Sequence, residues 1–286
     1  MKVWGREFGA GVIVVACLSG CGGGGSSDTV IPGFSTPDKS VTIRFNAVVG
    51  NEIAACNTDY ELVGTAGSTI QFKDFRLFVT RIRLVTSGGE EVPVALDTTD
   101  WQAQDVALLD YEDATGLCTG TQEINGSVTG TVPDNGQTFN AIRFTVGVPE
   151  SINHTEQNSV SPFNVTNMNW GWTNGYKFMR IDIPDWNMHL GATGCAANAQ
   201  SVVECTNSNR PEIELFGFDP DVNAVQLDYA ALVQESNVSA NINGAAGCMS
   251  GVDDTDCVEI FTQLGLNLAS GENDNVLSQT VFSVAP

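Results

Sequence analysis

Histidine is almost missing from this chain: 286 residues contain two, His154 and His189. Basic residues are also few, 12 Lys and Arg against 34 Asp and Glu, for a formal net charge of −22. Such an excess of negative charge repels nucleic acid and anionic membrane surfaces, and attracts cations and basic partners. No CxxC pair is present, which argues against a Cys metal site, and no CxxCH is present, which removes covalently attached haem. HExxH, GxSxG and the P-loop are absent too, so three common catalytic or nucleotide-binding signatures are excluded. Asp219-Pro220-Asp221-Val222-Asn223 opens like a calcium loop but lacks the glycine and the acid that an EF-hand needs further on. Helical periodicity is scarce, no internal repeat is evident, and beyond the N-terminus no apolar run is long enough to cross a bilayer.

The N-terminus reads as a targeting segment. Lys2 and Arg6 form a short basic stretch, partly offset by Glu7, and Phe8 to Leu18 is apolar. Roughly a dozen residues are too few to span a membrane but suit an export signal. Leu18-Ser19-Gly20-Cys21 then resembles a bacterial lipobox, where cleavage precedes the cysteine and its thiol carries the lipid. Residues 1–20 are therefore expected to be a lipoprotein signal peptide. Residues 21–40, beginning with Gly22-Gly23-Gly24-Gly25-Ser26-Ser27, are expected to be a flexible tether. Gly22 provides no inner-membrane retention signal. The expected location is the outer membrane, on its periplasmic or cell-surface side, with membrane contact only through the lipid on Cys21.

Six cysteines remain: Cys56, Cys118, Cys195, Cys205, Cys248 and Cys257. An even count in an exported protein reads as disulfides, with fifteen connectivities open. The close spacings favour Cys195–Cys205 and Cys248–Cys257 as local staples, which leaves Cys56–Cys118 as a long-range bridge.

Alternation with period two marks half-buried strands. Val41, Ile43, Phe45 and Ala47 share one face; so do Ile142, Phe144, Val146 and Val148, and again Met179, Ile181 and Ile183. Phe75 to Val85 and Val92 to Leu96 flank Ser87-Gly88-Gly89-Glu90, a hairpin signal, and Asn174-Gly175 is the strongest such signal in the chain. Asp228 to Glu235 suits a short helix. The expected fold is all-β, an antiparallel β-sandwich or barrel-like domain with long disulfide-stapled loops. The domain is expected over residues 41–235, with 236–286 a more polar C-terminal extension packed on it or appended to it.

Chemistry concentrates around Trp170-Gly171-Trp172. In an extended strand the two tryptophans share a face, and Asn174-Gly175 would fold them back on the strand from Tyr176 to Ile183. His154 follows the strand ending at Val148, and His189 follows the strand ending at Ile183. Neighbouring strands would bring both imidazoles to one end of a sheet near Trp170. Met168 and Met188 could add a thioether, and His with Met suits copper, Cu(I) above all. From the residues alone, two loop histidines and a packed Trp pair remain the more economical reading.

These segments, taken in order, resemble the MbnP-like copper-binding proteins, the four-Cys-motif members of a metallo-mystery pair. The resemblance is carried by Phe75-Arg76-Leu77-Phe78-Val79 with Ile82-Arg83-Leu84, Trp101-Gln102, and Val106-Ala107-Leu108-Leu109-Asp110-Tyr111. It continues through Phe144-Thr145-Val146-Gly147-Val148-Pro149 with Asn153-His154, Met168-Asn169-Trp170-Gly171-Trp172, Gly175-Tyr176-Lys177-Phe178, and His189-Leu190-Gly191 with Gly194-Cys195. It implies an extracytoplasmic protein that binds one copper ion, in copper acquisition or homeostasis. It further implies that a di-haem partner of the cytochrome c peroxidase/MauG type oxidises Trp170 to kynurenine. The indole N–H is only a donor; ring opening frees an aromatic amine that can join His154 and His189 as a nitrogen ligand. Trp172 would stay unmodified in a supporting role. The chain would then be a binding protein and not an enzyme. The alternative is a surface β-sandwich lipoprotein that binds glycan or protein without metal.

Overall fold

Alternating residues build the framework. Along Asp38–Val49 the apolar Val41, Ile43, Phe45 and Ala47 are buried and the intervening Thr42, Arg44 and Asn46 exposed. The same alternation runs through Phe139–Val146, where Ile142, Phe144 and Val146 face inward. The computed structural model describes residues 37–286 except 156–159, 275 and 277. The expected signal peptide, lipid-bearing Cys21 and the tether up to residue 36 lie outside the described residues.

Among the described residues two large sheets form. One has six strands in the order Phe282–Ala285, Ala224–Asp228, Asp38–Val49, Ser127–Pro133, Ala95–Leu96, with Glu52–Ile53 paired to Asp38–Val49. The other has nine, with the order Glu212–Phe216, Phe139–Val146, Asp74–Thr86, Met179–Ile183, Trp186–Leu190, Gly247–Cys248 along its main path. The long strand Asp74–Thr86 is the hub of this second sheet, pairing also with Glu91–Pro93 and Val106–Asp110. Aromatic side chains join the two sheets: Phe144 meets Phe45 at 5.5 Å and Phe282 at 5.4 Å between ring centroids, both edge-on. Such pairs add about 0.5–1.5 kcal/mol beyond the area they bury. The fold is the all-β sandwich-like arrangement expected from the alternation.

All three disulfides follow the spacing argument: Cys56–Cys118, Cys195–Cys205 and Cys248–Cys257. The short helix near Asp228 covers Tyr229–Leu232, with the Asp228 carboxylate accepting the Ala230 N–H at 2.8 Å as its cap. Residues 236–286 share the core. Gly247–Cys248 extends the nine-stranded sheet, Phe282–Ala285 edges the other, and Ile260, Phe261, Leu264 and Leu266 are buried. The helix Cys257–Gln263 carries two of those buried residues, Ile260 and Phe261; helical spacing over seven residues is too short a signal to have stood out in the sequence. No helix among the described residues is long and apolar enough to cross a membrane.

Candidate metal centre

The site begins with a hairpin. Met179–Ile183 and Trp186–Leu190 pair antiparallel around Pro184-Asp185, with Arg180 opposite His189 and Asp182 opposite Asn187. Met179–Ile183 also pairs with Asp74–Thr86, placing Arg180 opposite Arg76 and Asp182 opposite Asp74. Since residues opposite each other share a face, one side of this sheet collects Asp74, Arg76, Arg180, Asp182 and His189. Asp74, Arg76, Asp182 and His189 are nonetheless buried.

Buried charges persist only when paired, and here they are. Arg76 Nε donates to Asp74 Oδ1 at 2.8 Å, and Arg180 reaches Asp74 Oδ2 at 3.0 Å and Asp182 Oδ2 at 2.6 Å. The other Asp182 oxygen, Oδ1, takes the His189 Nε2 at 2.7 Å. Burial pushes the Asp182 carboxyl upward, but the His189 hydrogen bond and the charges of His189 and Arg180 outweigh it and hold the group below its ordinary value. An ionised carboxylate only accepts, so Nε2 of His189 carries a proton, and the lone pair that the ring can offer a metal lies on Nδ1. On the same network Asp110 goes the other way: burial raises its carboxyl to about 7 despite the opposing charge of Arg76.

Trp170 lies beside this imidazole, the two ring centroids 6.2 Å apart. Its seat is made by a glycine. A Cβ on Gly191 would sit 2.4 Å from Trp170 Cζ3, so no larger residue fits there without moving the indole. Ser250 clamps the same stretch, donating to the His189 carbonyl at 2.9 Å and accepting the Gly191 N–H at 3.1 Å. The cleft at Trp170 is lined further by Asn174, Ala192, Thr193, Gly194 and Met249.

His154 is held differently. It ends the single helical turn Glu150–Asn153, and its Nδ1 is 2.9 Å from the Trp172 carbonyl oxygen. Asn153 Oδ1 accepts the Tyr176 N–H at 3.0 Å, which turns Nδ2 of the same amide toward His154 Nε2 at 3.1 Å. The amide must donate there, so Nε2 accepts and the proton sits on Nδ1, where the carbonyl needs it. Next to Nε2 are Cys205 Sγ at 3.2 Å and Glu150 Oε1 at 3.4 Å. Both imidazoles therefore attend the Trp170-Gly171-Trp172 segment, His189 at the first indole and His154 at the second carbonyl.

Three sequence expectations change. Trp170 and Trp172 do not share a strand face: Gly171 has φ +102°, and the only ladder contact is a bridge between Asn169 and Tyr176. Residues 172–174 form the turn itself, leaving Trp172 44% exposed in a cleft with His154 while Trp170 faces another. Met188 precedes His189 and so projects to the opposite, core face of the strand, paired with Ile181. Met168 is also a fully buried member of the apolar core. The methionine that lines the Trp170 cleft is instead Met249, brought there by the parallel pairing of Met188 with Cys248. Met249, Ser250 and Asp182 escaped sequence reasoning. Asp182 alone left a signal, an acid seven residues before His189 across a two-residue turn.

The sandwich thus seats Trp170 on Gly191 beside the His189 imidazole and holds the His154 imidazole against the Trp172 carbonyl. The MbnP family model matches residues 38–250, and the chain belongs to the MbnP family. The match runs past residue 235, and so takes in Cys248, Met249 and Ser250. Among solved structures, MbnP from Methylosinus trichosporium is similar, with 30% identity and a TM-score of 0.77 over 87% of this chain and 98% of that one. A search of curated proteins found no match.

Proposed function

We infer that this protein binds a single copper ion, as Cu(I), through His154 Nε2, His189 Nδ1 and a kynurenine made from Trp170. The supporting observation is the indole of Trp170 lying 6.2 Å from an imidazole whose Nε2 is tied to Asp182, leaving Nδ1 as the donor nitrogen. Imidazole donors and a soft thioether at Met249 suit Cu(I) better than a hard cation. The unmodified indole offers no lone pair, so a nitrogen ligand at position 170 requires ring opening. The oxidising equivalents come from a di-haem peroxidase-type partner. The protein acts as a carrier or store in copper acquisition or homeostasis rather than as a catalyst, and works outside the cytoplasm, anchored to the outer membrane by lipid on Cys21.

The test is to produce the chain with and without a di-haem partner, then measure metal content and the mass of the peptide bearing Trp170. Expected is a residue that has gained one oxygen and lost one carbon, accompanied by one copper per chain, only when the partner is present. Copper-loaded protein with an unaltered tryptophan at 170 overturns the reading.

A further inference from the structure

Three features stand outside the copper reading: the buried carboxylates around Asp110, the apolar cleft beside Phe45, and the Cys195–Cys205 bridge against His154. The last carries an argument. Nε2 of His154 and the two sulfurs lie within 4.8 Å of one another, the one such His/Cys/Asp/Glu cluster among the described residues.

The three bridges are not equally reachable. Cys56, Cys118, Cys248 and Cys257 are at most 5% exposed, whereas Cys195 and Cys205 are half-buried, on a two-stranded ribbon. Thiol–disulfide exchange needs access to a sulfur, so a dithiol reagent meets this bridge first. Opening it would not release the ribbon. Thr193–Ala197 and Val203–Asn207 stay in register through Thr193 with Asn207, Ala196 with Glu204 and Ala197 with Val203, and the turn is closed by Asn198 N–H to the Val202 carbonyl at 2.9 Å. The two thiols would remain facing each other beside His154 Nε2, which lies 3.2 Å from Cys205 Sγ and would exchange its Asn153 amide donor for the cation. Two sulfurs and one imidazole make a soft donor set.

We propose that Cys195–Cys205 is a redox-controlled ligand pair, which on reduction forms with His154 a second site for a thiophilic cation such as Cu(I). A dithiol donor attacks one sulfur, its second thiol resolves the mixed disulfide, and the donor leaves oxidised. The bridge thereby gains two electrons and two protons, and the incoming cation displaces both thiol protons. The site rests on the copper reading only through His154, whose single Nε2 can serve one donor set at a time. Thiol redox state would then decide whether that nitrogen belongs to the Trp170 side or to the sulfur side.

The experiment uses the full chain made without a partner, so that Trp170 is unmodified. Graded treatment with a dithiol, followed by alkylation and peptide mass spectrometry, is expected to label Cys195 and Cys205 before the other four. The opened protein, titrated with Cd(II) as a spectroscopic probe and with Cu(I) in competition, is expected to take one equivalent with a thiolate-to-metal ultraviolet band. Cys195→Ser or Cys205→Ser should abolish the band. His154→Gln should weaken binding at least about tenfold, since even outer partners of a ligand cost that much. Trp170→Phe and His189→Gln remove the other donor set and should leave the band in place. Equal labelling of all six cysteines overturns the proposal, as does undiminished affinity in His154→Gln. Loss of the band in Trp170→Phe would also overturn it, by assigning the metal to the Trp170 side. The copper reading fails separately, on the mass of residue 170.

Discussion

The two histidines are held by opposite means. His189 sits in the next-to-last strand of the main path of a nine-stranded sheet, its ring fixed by the Asp182 carboxylate, which Arg180 also holds. His154 sits at the end of one helical turn, its ring fixed by a backbone carbonyl and a side-chain amide, with the Glu150 carboxylate 3.4 Å away. Both arrangements settle which nitrogen keeps its lone pair. The first is anchored by buried ion pairs and the second by hydrogen bonds to a carbonyl and from an amide beside a cleft. One segment is thus flanked by a charged mount in a sheet at His189 and a mount at the end of a helical turn at His154.

Replacing either imidazole is the largest perturbation. His189→Ala should eliminate copper retention and also destabilise the fold, because Asp182 then loses a partner in a buried network; a loss of about 3 kcal/mol in denaturant unfolding is expected. His154→Ala should eliminate retention with less than about 1 kcal/mol of destabilisation, the ordinary value of neutral hydrogen bonds. Equal unfolding costs for the two variants would erase the contrast.

Asp182→Asn sharpens the comparison without touching a ligand. Copper affinity should fall by about 10- to 100-fold, as for other partners of metal-bound histidines. Nitrogen-15 NMR of the apo protein should show the His189 tautomer shift while that of His154 stays put. The same change should flatten acid sensitivity. The folded Asp182 carboxyl lies below its unfolded value. Its stabilisation is therefore present above the unfolded value near pH 4 and lost as the pH falls through the lower folded one. Unchanged acid unfolding in Asp182→Asn would refute that assignment.

Gly191→Ala tests the seat of the indole. The added methyl would meet Trp170 Cζ3, with an expected destabilisation of about 1–3 kcal/mol and slower conversion of residue 170 by a partner. The smallest effect is expected at Asp110. Its carboxyl is raised to about 7 by burial, so its contribution favours the folded state below the unfolded value and is lost as the pH rises through 7. Asp110→Asn should raise stability at pH 8 by on the order of 1 kcal/mol and change it little at pH 4. A drop at pH 8 would show that the ionised form is the one the Arg76 pairing favours.

Much of the frame was legible because alternation is local. The faces of Asp38–Val49, Phe139–Val146 and Met179–Ile183 follow from single residues, and cysteine spacing anticipated the pairing. The site was half legible. Two histidines in so long a chain drew attention to themselves, but the orientation of Trp172 turned on the positive φ of Gly171, which an assumed strand concealed. The two thioethers drew notice by closeness in sequence. Yet Met188 lies on the far face of the strand that presents His189, and Met249, sixty residues on, is the one that reaches the cleft.

The sequence by itself determined an acidic, disulfide-bonded β-protein with two imidazoles and one tryptophan pair in play, because composition and period-two patterning act between near neighbours. Only the tertiary structure decided which ring nitrogen each histidine offers, which methionine borders the indole, and which bridge lies against His154. Those outcomes depend on hydrogen bonds and contacts such as Tyr176 to Asn153 and Cys205 to His154. Their partners are separated by tens of residues, and folding alone brings them within reach.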